Sequence, residues 1–255
     1  MNITTMTPDQ LRQAALSPDF ETVLVAELSR GVPWSTRCHV ARLPKLSTGI
    51  LARLAQDEHD LVRQNTAVHP DLPDDLVRQL ATDSYWAVRR GLTTRATLPM
   101  DVISRLAEDM EDEVRQSLAR QPSLPVTSMF KLAHDDSGAV RQAIASRADL
   151  PLDIVRKLSV DANLRVRVAV AERSDLPAYL VALLATDEDG DVRRRVADHA
   201  DLPEGLVAQL VGDAAEMVRI AVARRLDLTP AQIAQLARDQ SRDVRLAVVH
   251  CEDHE

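Results

Sequence analysis

Aromatic side chains are scarce: Phe20, Trp34, Tyr85, Trp86, Phe130 and Tyr179 are the only ones in 255 residues. Sheets draw on aromatic and β-branched residues, so a chain rich in Ala, Leu, Val, Arg and Asp points to packed helices. Cysteine is rarer still, and Cys38 and Cys251 cannot make a disulfide framework or a four-cysteine metal site. Seven scattered glycines form no phosphate-cradling loop, and no G-x-S-x-G or H-E-x-x-H motif occurs. No run reaches the roughly eighteen apolar residues of a membrane span. The opening MNITTMTPDQLRQ has no basic stretch followed by an apolar core, so a cytoplasmic location without membrane contact is expected. Disorder is excluded by a composition 45% hydrophobic and 27% charged. The net charge of −8 weighs mildly against a partner as uniformly anionic as DNA.

What the sequence has in abundance is repetition, with a period of 26 residues. Val-Arg recurs from Val62-Arg63 through Val88-Arg89, Val114-Arg115 and onward to Val244-Arg245, eight times without a slip. Leu-Pro keeps the same step from Leu72-Pro73 to Leu202-Pro203, and a seventh copy reads Leu228-Thr229-Pro230. Aspartate recurs from Asp57 to Asp239 and leucine from Leu28 to Leu236. Several anchors held in register define one array, assigned to residues 36–251. Residues 1–35 read as a helical amino-terminal cap, with helices opened by Thr7-Pro8 and Ser17-Pro18, the second carrying Leu28 and closed by Gly31. Residues 252–255 read as a polar tail.

Each repeat reads as two short helices. Helix A follows the recurring aspartate, as in Asp83-Ser84-Tyr85-Trp86-Ala87-Val88-Arg89, with Asp83 placed to cap it. Helix B follows Leu-Pro, and the residue before that dipeptide (Asp71, Thr97, Ser123, Asp149, Asp175, Asp201 or Asp227) is of a type that caps. Apolar residues such as Leu76, Val77 and Leu80 sit at helical spacing. Helices this short need a stack of neighbours to bury their faces. The recurring Asp and Arg, six residues apart, are read as a structural ladder paired across the loop: Asp83 with Arg89, Asp109 with Arg115, Asp135 with Arg141, Asp161 with Arg167, and Asp187 with Arg193.

The unit VRQAIASRADLPLDIVRKLSVDANLR resembles the leucine-rich repeat variant family over about residues 37–251, and its Leu-Pro, Asp and Arg layout is more distantly similar to HEAT repeats. The resemblance implies an all-α, right-handed α-solenoid in which the second helix is short or 3₁₀. One described member of the family carries an iron–sulfur cluster in a cysteine-rich amino-terminal segment. Residues 1–36 here contain no cysteine, so no cofactor is expected.

The residues outside the framework carry the functional expectations. His250, Cys251 and His254 are the sharpest metal candidates, outweighed by their place in an acidic terminal tail. Carboxylates fall in the loops of every repeat, so a general acid and base pair, and with it an enzyme, is not expected. Seventeen of the 28 arginines fall in the nine-residue windows opening at each Val-Arg. There Arg95, Arg147, Arg173 and Arg225, with His69 and His199 in the same row and Arg90, Arg120, Arg194, Arg195 and Arg224 beside it, form either a basic strip for an anionic partner or a row neutralised by aspartates two positions on. The residue after Leu-Pro is acidic in the outer repeats, Asp74 and Glu204, but becomes Met100, Val126, Leu152 and Ala178 in the middle. With Phe130, Val160, Tyr179 and Leu183 these read as an exposed apolar patch or as further core. Tyr85-Trp86 is a contact point or local packing. The expected function is a non-catalytic scaffold binding another protein; the alternative is nucleic acid or another polyanion along the arginine face.

Overall fold

The repeating Val and Leu anchors are the hydrophobic spine of the molecule. All eight valines of the Val-Arg pairs, from Val62 to Val244, are fully buried, and the helix B leucines Leu54, Leu80, Leu106, Leu132, Leu158, Leu184, Leu210 and Leu236 are buried with them. Burying such a side chain contributes about 1.5–3 kcal/mol, so each repeat adds a small increment that exists only against its neighbours.

The computed structural model describes residues 3–15, 17, 20, 23–24 and 31–252, apart from the side chains of residues 4 and 250–252. These form 18 α-helices and one 3₁₀ turn, Ile3–Thr5, with no strand among the described residues. The chain makes two compact units, Met1–His134 and Asp135–Glu255. The first holds α1 (Pro8–Ala14), α2 (Trp34–Val40), α3 (Thr48–Leu54), α4 (Asp60–Ala67), α5 (Asp74–Leu80), α6 (Trp86–Leu92), α7 (Met100–Leu106), α8 (Asp112–Ala119) and α9 (Val126–Leu132). The second holds α10 (Gly138–Ala145), α11 (Leu152–Leu158), α12 (Leu164–Ala171), α13 (Ala178–Leu184), α14 (Gly190–Ala197), α15 (Glu204–Val211), α16 (Glu216–Ala223), α17 (Pro230–Leu236) and α18 (Arg242–Glu252).

The even-numbered helices, α2 to α8 in the first unit and α10 to α18 in the second, are the A helices. Within each unit, successive A helices pack directly on one another, whereas each B helix meets chiefly an A helix. At the start, α1 packs on α2, and Ile3, Leu11, Phe20 and Leu24 are buried. Gly31, expected to close the cap's second helix, has φ +82°, a left-handed conformation open to glycine. Leu28 and Pro18, also assigned to that helix, lie outside the described residues.

Of the two forms expected for the second helix of each repeat, short or 3₁₀, the short one is seen, an α-helix of seven or eight residues. Two local expectations differ from what is seen. The proline of Leu-Pro is itself the N-cap residue of helix B, as at Pro73, Pro99, Pro125 and Pro151, and no side chain caps these helices. Proline suits that place because its φ is fixed and an N-cap residue keeps an extended ψ, 154° at Pro73. Among the described B helices, side-chain caps occur where the proline is displaced or missing: Ser47 caps α3, and Thr229 forms a capping box with Gln232 on α17. Finally, Asp83 is not the cap of α6, whose N-cap residue is Tyr85. Its Oδ1 instead accepts the Tyr85 amide at 2.9 Å, bracing the loop one step before the helix begins.

Candidate functional site

The arginines of six Val-Arg pairs, Arg219 with Asp239 among them, reach forward twenty residues to a carboxylate instead of back six. Arg63 holds Asp83, Arg89 holds Asp109, Arg141 holds Asp161, Arg167 holds Asp187 and Arg193 holds Asp213, each through Nε and Nη2 at 2.6–3.0 Å. The six-residue relation is real but runs to the main chain: Nη1 of Arg89 donates to the Asp83 carbonyl at 2.7 Å, and Arg115, Arg141, Arg167 and Arg193 do the same to Asp109, Asp135, Asp161 and Asp187. The side-chain pairing across one loop is therefore corrected to a pairing between adjacent repeats. A guanidinium presents a planar fork and a third donor edge, which lets one arginine tie its own loop and the next. Burial pushes the Asp83 carboxyl up, but the Arg63 and Tyr85 hydrogen bonds together outweigh it and hold it below its usual range. Asp161 and Asp213 behave alike.

The second polar row has a different architecture. His69, Arg95, Gln121, Arg173, His199 and Arg225 each reach a main-chain carbonyl one repeat back: His69 Nε2 to Leu43 at 2.8 Å, Arg95 Nη1 to His69 at 2.6 Å, Gln121 Nε2 to Arg95 at 3.2 Å, His199 Nε2 to Ala171 at 2.6 Å, and Arg173 and Arg225 to Arg147 and His199. The Asp71 amide donates to Nδ1 of His69, so Nε2 carries the proton given to Leu43. The row's common property is a side-chain N–H donor at a 26-residue step, a signal present in the sequence.

Three arginines of this row also hold the aspartate two residues on. Arg147 meets Asp149 through Nε and Nη2 at 2.9 and 2.8 Å, Arg225 meets Asp227 at 2.9 and 2.7 Å, and Arg173 meets Asp175 through Nη2 at 2.7 Å. These hydrogen bonds hold Asp149, Asp175 and Asp227 below the ordinary carboxylate range. Arg95, with Thr97 in the aspartate's place, has three carbonyl acceptors and no carboxylate. Its desolvation pushes the guanidinium pKa down, only partly opposed by Asp74.

The remaining arginines vary. Arg194 lies near Asp191 and Asp198, and Arg195 pairs with Glu172 at 3.1 Å. Glu172, Arg195, Asp198, His199 and Asp201 border a 440 Å³ cleft in the second unit, so the charge offered there is largely acidic. Arg90, Arg120 and Arg224 are exposed. Arg90 sits 5.3 Å above the Trp86 ring, which is tilted against Tyr85, while Trp34 stacks on His59 at 4.3 Å.

The apolar positions stand outside the core. In the first unit Met100, Val126 and Phe130 are 58%, 49% and 39% exposed; in the second Leu152, Val160, Tyr179 and Leu183 are 50%, 65%, 54% and 43% exposed. Met100, Val126, Leu152 and Ala178 are the first residues of α7, α9, α11 and α13, and all four are exposed. The side chains of His250, Cys251 and His254 lie outside the described residues. Elsewhere among the described residues no three His, Cys, Asp or Glu side chains are grouped to hold a metal ion.

No family model and no curated protein matches the sequence. Among solved structures the chain is similar to a leucine-rich repeat variant with a novel repetitive protein structural motif, at 25% identity over 85% of this chain and 82% of that one, with a TM-score of 0.66. Looser likenesses are to an engineered protein (13% identity, 98% and 96% covered, TM-score 0.34) and to an archaeal HEAT-like repeats protein from Thermococcus onnurineus NA1 (12% identity, 97% and 96% covered, TM-score 0.26).

Proposed function

We propose that this chain, an α-solenoid similar to the leucine-rich repeat variant, is a non-catalytic scaffold that binds another protein through the exposed apolar ends of its middle B helices. One observation carries the reading: Met100, Val126 and Leu152 are each about half exposed at the position where the outer repeats keep Asp74 and Glu204, and Tyr179, one residue past that position, is half exposed as well. Holding large apolar side chains in water costs about 25 cal/mol for each Å² that a partner would cover. Surfaces of this kind mark contact sites. A polyanion reading draws less support, because Arg147, Arg173 and Arg225 are already engaged by aspartates. A cytoplasmic setting belongs to the proposal, since Cys38 is a buried free thiol.

The test is a variant carrying Val126→Asp, Phe130→Asp and Leu152→Asp, compared with the parent in pull-downs from the native host. A folded variant that loses its partner supports the reading, and one that captures the same partner equally well overturns it. A gel shift with arbitrary duplex at low salt examines the polyanion alternative: salt-sensitive binding by the parent would favour it.

A further inference from the structure

Arg245 on α18 keeps the geometry of the Asp and Arg ladder but closes on no carboxylate. Seven arginines, from Arg37 on Asp57 to Arg219 on Asp239, present Nε and Nη2 to a carboxylate twenty residues on, at 2.6–3.1 Å. The third nitrogen fixes the plane of the fork, as where Nη1 of Arg219 donates to the Asp213 carbonyl at 2.7 Å. Arg245 is anchored in the same way, its Nη1 donating to the Asp239 and Gln240 carbonyls at 2.7 and 3.0 Å. Its Nε and Nη2 meet no acceptor among the described residues. Asp239 stands to Arg245 as Asp213 stands to Arg219, close enough to feel its charge yet bound in the preceding fork.

The helix face beside that fork is open as well. Ala67 on α4 shows what this face meets in an earlier repeat: it lies so near Gly91 on α6 that a β-carbon there would stand 3.3 Å from the Ala67 methyl. Ala119, Ala145, Ala171, Ala197 and Ala223 fill the same position and are buried, whereas on α18 it is Val249, 51% exposed. Leu246, 43% exposed, is three residues from Val249, and Arg245 is four, so the three side chains adjoin on the helix surface. A fixed guanidinium fork matches a planar carboxylate through two parallel hydrogen bonds.

We infer that this face of α18 docks a partner protein's helix led by an aspartate, whose carboxylate closes the Arg245 fork while the helix covers Leu246 and Val249. The surface lies apart from the exposed ends of the B helices and goes beyond that reading. A second copy of the chain fits less well, because ladder aspartates such as Asp57 and Asp239 are already held in forks of their own. One fork, with the exposed Arg242 and Asp243 offsetting each other on the same helix, does not suit a nucleic acid backbone, which calls for a continuous run of cations.

The probe is a lactam-bridged helical peptide copying Asp213–Ala223, a segment that Arg193 clamps by its aspartate inside the array. It is added to the full chain and followed by the NMR resonance of the Arg245 Nε–H group. Saturable movement is expected. Asp213→Asn in the peptide should weaken binding by about tenfold, and so should Arg245→Lys in the chain, which keeps the charge and removes the fork. Val249→Asp, on the exposed face, should weaken binding likewise and serves if Arg245→Lys does not fold. An unmoved resonance, equal binding by the Asn peptide, or undiminished binding by either folded variant would overturn the inference. Equal movement with hexaglutamate would overturn it too, since the helix would then contribute nothing. Self-association that Val249→Asp abolishes would give the face to a second copy and overturn it as well. The apolar triple variant of the B helices should bind the peptide as the parent does, so the failure of one reading leaves the other standing.

Discussion

Arg89 and Asp109 lie twenty residues apart and in different repeats, yet they meet through two hydrogen bonds of 2.6 Å with both side chains buried. The same guanidinium donates at 2.7 Å to the Asp83 carbonyl of its own loop. One side chain therefore ties neighbouring repeats together at their loop edge.

Removing one member strands the other in a desolvated place. Arg89→Ala or Asp109→Ala should lose about 3–5 kcal/mol of unfolding free energy in urea titrations. Arg78→Ala, which breaks the exposed pair with Asp101, should leave the urea midpoint unchanged. Equal effects at the two sites would contradict an inter-repeat clamp.

Acid should loosen the stack in a defined window. Asp83, Asp161 and Asp213 have folded-state pKa values below the ordinary carboxylate value, as do Asp149 and Asp227. Their contribution is complete above the unfolded carboxylate pKa, near ~3.9, and is lost as pH falls through the lower folded values. Thermal melts should be nearly level from about pH 7 to 5 and fall steeply below about 4. Asp161→Asn should start less stable and show a shallower acid fall.

Adjacent residues of α9 should respond in opposite ways. Met129 is 2% exposed and Phe130 is 39% exposed. Met129→Asp should abolish cooperative unfolding, because an unpaired carboxylate would enter the core. Phe130→Asp should retain the parent's circular dichroism and most of its melting temperature. Loss of fold in both would place Phe130 in the core.

The cap of α17 offers a milder test. Thr229 accepts the Gln232 amide, and Gln232 reciprocates at the Thr229 amide. Thr229→Ala should cost about 1 kcal/mol. Thr229→Ser should restore most of it, as measured by chemical denaturation.

The 26-residue period alone was enough to determine the all-α class, the paired helices, the buried face and the Asp and Arg anchors. Each is a local property repeated in register: Val88 is buried for the same reason as Val62, so one repeat read correctly is eight read correctly. Partner choice lay beyond that reading. A six-residue spacing made Asp83 the natural mate of Arg89, and only the stacking of one repeat on the next brings Asp109 closer to its fork. Likewise, whether Arg95 and Arg147 are alike was decided in three dimensions. Arg147 is held by the carboxylate two residues on, whereas Arg95, with Thr97 in that place, is held by main-chain carbonyls of the repeat before. The exposure of Met100 and Val126 was also a tertiary matter, because a residue opening a helix is core or surface according to which neighbour covers it. Periodicity names the face of a helix, and the register between helices decides what that face meets.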